Sequence, residues 1–375
     1  MNEIKMVDLN GQYEKIKTEV DNAIHSVLDS ASFIKGPEVK TFENALASYL
    51  GARRVISCAN GTDALQIAMM ALGLKPGDEV ITTPFTFVAT VEVVKLLGLK
   101  PVFADIEPGS FNIDTSDLEN KITAKTKAIV PVHLFGQCSN MEALTNLAQK
   151  HGLYIIEDAA QSLGNNYIFS NGTRQKSGTI GHIGCTSFFP SKNLGTYGDG
   201  GALFTNDPLL ADKLQAIVNH GMVERYHYDY VGVNSRLDTL QAAILNVKLK
   251  YLDQYNLSRQ LAAEFYDNAL GDLKGITIPV RLPYSTHIFH QYTLRVEGGK
   301  RDALKSHLEK SSVPAMIYYP LSLHLQKAYS DLGYKKGDFP VTEKACEEVL
   351  SLPMHTELDQ DQLQFITERI IEFVN

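Results

Sequence analysis

A single lysine, Lys192, stands in the stretch GHIGCTSFFPSKNLGTYGDGG at 181–201, between a short apolar run and a glycine-rich turn. An amine placed there can meet a carbonyl ligand around which the backbone bends closely. Cys185 to Phe189 reads as a buried strand, Pro190 ends it because proline brings no ladder N–H, and Ala202 to Thr205 reads as another strand. On this stretch alone, a surface lysine in a glycine-rich hairpin explains the pattern equally well. Asp158, in YIIEDAAQSLG, follows an apolar strand, where a carboxylate either caps a turn or faces a ligand. Asn60-Gly61-Thr62 opens a helix after the strand Arg54 to Cys58. Its first N–H groups suit a phosphate, although a plain helix cap would use the same residues. Phe85 and Phe87 add flat apolar faces.

An amine, a carboxylate, phosphate donors and an apolar face are the four parts that pyridoxal 5′-phosphate requires. The amine forms an imine, the carboxylate keeps the pyridine nitrogen protonated, the donors hold the phosphate, and the face packs the ring. The combination favours this cofactor over four unrelated structural roles.

The elements that must position these residues alternate. Helical spacing runs from Tyr13 to Leu28 and from Val39 to Leu50, then Arg54–Cys58 begins a series of strands separated by helices. Further strands are expected at Glu79 to Thr82, Pro101 to Asp105, Ala128 to Leu134 and Tyr154 to Glu157, with helices after Phe87 and through Met141, Leu144 and Leu147. Such repeats specify a mostly parallel sheet covered on both faces, with ligands at the carboxyl ends of its strands. From about Leu252 the pattern changes to a long helix, then Ile276 to Val280, Gln291 to Val296, a helix Arg301 to Lys310, and Met316 to Tyr318. This reads as a second domain.

The chain has 375 residues, 44% of them hydrophobic, enough for two cores. Its formal charge of −8 argues against a polyanion-binding surface, so nucleic acid is not an expected partner. Cys58, Cys138, Cys185 and Cys346 are scattered without CxxC or Cys/His spacing, which excludes a disulfide framework and a metal site from the expectation. MNEIKMVDLN has no apolar leader segment and no stretch is long enough to span a membrane, so the expected location is cytoplasmic.

Six motifs in order, SCANGTDAL at 57–65, PFTFVAT at 84–90, IEDAAQSLG at 156–164, TSFFPSKNLG at 186–195, GDGGALFTND at 198–207 and GVNSRLDTLQAAIL at 232–245, make the sequence similar to one family. It resembles the DegT/DnrJ/EryC1/StrS family of pyridoxal-phosphate-dependent nucleotide-sugar aminotransferases over essentially its whole length. The resemblance implies an α/β, aspartate-aminotransferase-type (fold type I) architecture. A large domain at 1–250 holds a mixed seven-stranded sheet, and a smaller C-terminal α/β domain spans 251–375. It implies that Lys192 carries the cofactor as an imine, Asp158 pairs with the pyridine nitrogen, Gln161 meets the ring hydroxyl and Phe87 stacks on the ring. Gly61, Thr62 and Ser187 would hold the phosphate. The polar, aromatic segment 220–238 would reach the neighbouring subunit's site, where Asn234 touches the phosphate, implying a homodimer with composite active sites. IYYPLSLHLQ at 317–326 matches the sugar-contacting loop, which brings Tyr318, Tyr319 and His324 toward the substrate. Tyr318 departs from the histidine that many members carry there. SLPMH at 351–355 matches a segment with a structural role.

Within the family, SCANGTDALQ, LFGQC, CTSFFPSK and the run from Arg225 to Leu245 are most similar to enzymes that aminate UDP-2-acetamido-2-deoxy-3-oxo-D-glucuronate, with L-glutamate as donor. Arg236 could then pair with the uronate carboxylate, although an arginine there also fits uncharged sugars. The alternatives are a dTDP-3-keto-6-deoxyhexose aminotransferase and a non-catalytic regulator that keeps the cofactor. The family's dehydratases replace the lysine by histidine, and Lys192 is present.

Overall fold

The computed structural model describes residues 3–375. Two helices, α1 (Leu9–Ser30) and α2 (Pro37–Leu50), precede the sheet. Pro37 starts α2 with its φ already set, and Gly51 ends it at φ 67°, a conformation that a side chain resists. Strand and helix then alternate as β1 (Arg54–Cys58), α3 (Gly61–Ala71), β2 (Glu79–Thr82), α4 (Ala89–Leu96), β3 (Lys100–Phe103), β4 (Thr126–Ile129), α5 (Met141–His151) and β5 (Tyr154–Asp158). A hairpin of β6 (Asn166–Ile168) and β7 (Arg174–Lys176) leads to β8 (Ile183–Ser187), β9 (Gly201–Thr205) and α6 (Pro208–Ile217).

The main sheet has seven strands in the order β1-β9-β8-β5-β4-β2-β3. β2, β3, β4, β5 and β8 pair in parallel, whereas β9 runs antiparallel to both β8 and β1. The sheet is mixed, as the fold-type I expectation required. Alternate residues of each strand enter opposite cores because side chains switch face at every step. Ile56, Val80, Ala128, Ile156 and Leu203 pack with α3, α4 and α6. On the other face, Ile81, Ile129 and Ile155 pack with α5, while Val55, Ala202 and Phe204 meet α2 and α7 (Thr239–Lys248).

Between α6 and α7, a small hairpin of β10 (Met222–Glu224) and β11 (His227–Tyr228) carries exposed Tyr226, Tyr228 and Val231. After α7 come α8 (Leu252–Leu270), β12 (Ile276–Thr277), β13 (Tyr292–Val296), α9 (Arg301–Lys310), α10 (Pro340–Glu348), β14 (Val349–Leu352) and α11 (Gln360–Val374). The last three strands form an antiparallel sheet in the order β12-β13-β14. Its core takes residues from α8, α9 and α11, and also Ile4 from the chain's beginning. Among the described residues, no helix is long and apolar enough to cross a membrane.

Several strands differ from the sequence expectation; the Ile276 to Val280 run is regular only over Ile276–Thr277 and the Pro101 to Asp105 run ends at Phe103. The strand holding Cys185 begins at Ile183 and stops at Ser187, before Phe188 and Phe189. Phe188 leaves the ladder because its carbonyl is closed by the N–H and hydroxyl of Thr196, at 2.8 and 2.9 Å. The expected Ala128–Leu134 strand is regular only to Ile129, since Pro131 has no N–H to give, and it resumes as a single bridge from Val132 to Asp158. Met316 to Tyr318 pairs only through Met316, with Ser351.

Close backbone approach at the head of β9 fixes the sheet edge beneath the site. A side-chain carbon on Gly201 would lie 2.4 Å from the backbone carbon and oxygen of Asn60. Backbone on both sides leaves no flexible atom to yield. Gly201→Ala is therefore expected to lose about 1–3 kcal/mol of stability, read as a lower urea midpoint with an unchanged slope.

Candidate active site

The carboxyl ends of β1, β2, β5 and β8 open on one edge of the sheet, and Gly61, Thr62, Phe87, Asp158, Gln161, Ser187 and Lys192 lie at or just after them. Asp158 is the last residue of β5 and is 7% exposed. Its backbone is fixed on both sides, by an N–H to Pro131 O at 2.9 Å and a carbonyl receiving His133 N–H at 3.0 Å. Its side chain accepts the Thr90 hydroxyl at 2.8 Å and the Ala160 N–H at 3.2 Å. Burial raises its pKa, while the Thr90 and Ala160 donors and the Lys192 charge pull it back.

Lys192 follows β8 in the turn whose N–H bonds Phe189 O at 2.8 Å. Burial lowers its pKa to about 8, against a smaller opposing effect of Asp158. An amine in this state is partly neutral near physiological pH and hence nucleophilic. The next residue, Asn193, locks the turn from behind: its amide donates to Asn256 Oδ1 on α8 at 2.7 Å and to Ile288 O at 3.3 Å. His290 Nδ1 lies 3.3 Å from Asn193 Oδ1.

At the head of α3, Asn60 caps Asp63 N–H at 2.8 Å, so the N–H groups of Gly61 and Thr62 have no intrahelical acceptor. A side-chain carbon on Gly61 would lie 2.7 Å from Ser187 Cβ. The absent side chain therefore lets the helix head and the Ser187 hydroxyl share one anion-sized position. Ser235 draws the 220–238 segment to the same place by accepting Ala59 N–H at 3.2 Å. Asn234, beside it, is exposed, and its amide oxygen receives Arg236 Nε at 3.0 Å.

The two phenylalanines separate. Phe85 is fully buried among Phe111, Phe135 and Tyr319, whereas Phe87 is 56% exposed, with its ring free to cover a ligand. Gln161 Oε1 accepts Phe135 N–H at 2.7 Å, which turns Nε2 toward the Tyr319 hydroxyl at 3.4 Å. Tyr319 thereby brings the C-terminal part of the chain to the sheet edge, and Tyr318 is half-buried beside it.

His324, expected near the sugar, is held within the structure. It is 1% exposed, with Nδ1 at 2.5 Å from Ser322 Oγ and Nε2 at 3.0 Å from Glu343 Oε1. Both ring nitrogens thus have partners that hold the loop. Thr90, Asn193 and Ser235 are contributors that the sequence did not single out. Their motifs were visible, but each contact joins residues far apart in the chain.

A nucleophilic amine, a buried carboxylate, unpaired helix-head donors and an exposed aromatic face fit pyridoxal phosphate as a donor set. The family model described as the DegT/DnrJ/EryC1/StrS aminotransferase family matches residues 14–371. The chain belongs to this family. A Geobacillus stearothermophilus relative named "Pleiotropic regulatory protein" is 47% identical over 99% of this chain and 98% of its own length. The Pseudomonas aeruginosa UDP-2-acetamido-2-deoxy-3-oxo-D-glucuronate aminotransferase is 47% identical over 97% of this chain and 98% of its own. The crystal structure of Streptomyces venezuelae DesV superposes with a TM-score of 0.96 at 38% identity, covering 100% of this chain and 99% of that one. The protein is a sugar aminotransferase that uses pyridoxal phosphate.

The lowered Lys192 pKa has a direct check on protein freed of cofactor. Acylation of Lys192, followed by peptide mass mapping, is expected to rise through about pH 8, the value that burial sets. Asp158 opposes that lowering, so Asp158→Asn should move the rise to still lower pH. A profile like that of exposed lysines, near 10.4, would remove the buried-amine assignment.

Proposed function

We propose that this aminotransferase moves an amino group from L-glutamate to the 3-keto group of UDP-2-acetamido-2-deoxy-3-oxo-D-glucuronate. In this reading it works in the cytoplasm as a homodimer with composite active sites, each chain divided into a large domain at 1–250 and a small one at 251–375. The observation that carries the chemistry is the low-pKa amine of Lys192 and the buried carboxylate of Asp158, delivered to one sheet edge by the adjacent parallel strands β8 and β5. The substrate choice is supported by similarity to the Pseudomonas enzyme and by Arg236, whose guanidinium Asn234 orients through Nε alone.

Pyridoxal phosphate, when bound, supplies a carbonyl carbon for amines and a ring that accepts electrons. Asp158 would hold the ring nitrogen protonated, and the Thr90 hydroxyl keeps that carboxylate ionised and aimed. Gln161, with its oxygen already occupied by Phe135 N–H, would offer Nε2 to the ring hydroxyl. Phe87 would cover the ring face. The N–H groups of Gly61 and Thr62 and the Ser187 hydroxyl would take the phosphate, joined by Asn234 from the second copy. Lys192 Nζ would take the proton from the α-carbon of glutamate and, in the second half-reaction, deliver one to C3 of the sugar. Arg236, Tyr318 and Tyr319 would line the sugar.

A substrate panel tests this reading. With glutamate as donor, the UDP-linked keto uronate should be aminated at a higher kcat/KM than its uncharged UDP hexose counterpart or a dTDP-3-keto-6-deoxyhexose. Arg236→Leu should cost roughly 1.5–3 kcal/mol in transition-state binding for the uronate, the value of a charge-assisted contact, and much less for the uncharged sugar. A preference for the dTDP sugar would move the assignment to that branch. Turnover of no keto sugar under saturating cofactor would favour a regulator.

The composite site has its own test. Lys192→Ala and Asn234→Ala subunits, each severely impaired, should regain about a quarter of wild-type activity after random mixing, because half the dimers pair both lesions in one site and leave the other intact. Confirmed subunit exchange without rescue would return Asn234 to its own subunit's site.

A further inference from the structure

Behind the Lys192 turn lies a group of buried polar atoms that the transamination does not use. Lys248, at the end of α7, is 1% exposed, and Arg259, on α8, is 3% exposed. Neither has a carboxylate within ion-pair distance among the described residues. Arg259 spends one terminal nitrogen on the carbonyls of Phe289, His290 and Met354, at 2.9–3.2 Å, and its Nε has no partner. Tyr255, one helical turn before Arg259, has an unpartnered buried hydroxyl. The same is true of Tyr197, five residues after Lys192. These are three of the seven unpartnered buried side-chain atoms among the described residues.

The groups lie around one point of the fold. Lys248 Nζ is 5.2 Å from the centre of the Tyr197 ring. The charge of Arg259 reaches Lys248, whose pKa burial lowers to about 8. Tyr197 likewise acts on Tyr255, whose pKa burial raises. The acids that act on the two phenols are already paired: Glu357 with Lys15 at 2.5 Å and the Thr356 hydroxyl at 2.9 Å, Glu19 with Lys250 at 3.0 Å, and Asp21 with Lys17 at 3.3 Å. His355, whose buried Nε2 also has no partner, feels the charge of Arg259 first and, opposing it, those of Asp8 and Glu357. Two cations and two phenols are thus buried together with unused donors and no anion. A buried charge without a partner costs several kcal/mol, and the face of the Tyr197 ring offsets only part of it.

We propose that Lys248, Arg259, Tyr197 and Tyr255 form a buried site for a small monovalent anion of chloride size. The donors are single and come from three segments, α7, α8 and the stretch after Lys192, which suits one spherical ion. A phosphate or sulfate would demand more donors than the group offers. The ion would join the Lys192–Tyr197 segment to α8, the helix that also holds Asn193 through Asn256. The site would therefore stabilise the position of the catalytic lysine without touching substrate.

The test uses the cofactor-loaded protein, with cofactor in excess so that its phosphate position stays filled. After exchange into sodium gluconate, titration with sodium chloride or bromide at constant ionic strength should raise Tm to a plateau, as a ligand that binds only the folded state does. Lys248→Met should weaken the halide midpoint by about tenfold or more, the scale of one lost charge-assisted contact. Tyr255→Phe, a milder change, should shift it in the same direction and covers the case in which Lys248→Met does not fold. Crystals soaked in bromide should show an anomalous peak between Lys248 Nζ and Arg259 Nε. Equal Tm in gluconate and halide, or ordered water and no bromide at that position, would overturn the proposal.

Discussion

Burying Asp158 and Lys192 near enough to feel each other's charge places two opposite demands on one edge of the sheet. Removing water raises the cost of both charges, which lowers the amine's pKa to about 8 and raises that of the carboxylate. The carboxylate remains useful only because Thr90 and Ala160 donate to it, and the amine remains aligned only because Asn193 is tied to α8. Much of the surrounding structure serves these two restraints. α4 exists at the point where Thr90 can reach across to β5, and α8 packs where Asn256 can reach the turn after β8.

The parallel sheet makes this arrangement economical. Adjacent β5 and β8 run in the same direction, so their carboxyl ends deliver Asp158 and the Lys192 turn to one edge. β1 also ends there, and Gly61 and Gly201 let the head of α3 settle against Ser187 and the start of β9. The C-terminal part completes the edge through Tyr319, whose hydroxyl meets Gln161. Its neighbouring loop is held by His324, buried between Ser322 and Glu343.

The amino-acid sequence by itself determined the order of strands and helices, because apolar runs of period two and stripes of helical period are local properties. It also determined the identities of the lysine, the carboxylate and the helix-head glycine, since their chemistry is legible next to a strand end. The family motifs extended this to the cofactor and the mixed sheet. Tertiary structure decided what each residue is free to do. Phe85 and Phe87 are two residues apart and look alike in the chain, yet one is fully enclosed and the other faces outward. His324 matched a sugar-contacting pattern, but Ser322 and Glu343 occupy its nitrogens. Thr90 reaches Asp158 across 68 positions, and nothing near either residue announces the contact. Burial and hydrogen-bond saturation arise from segments distant in sequence, so local pattern supplies the chemical groups while packing alone decides which of them remain available.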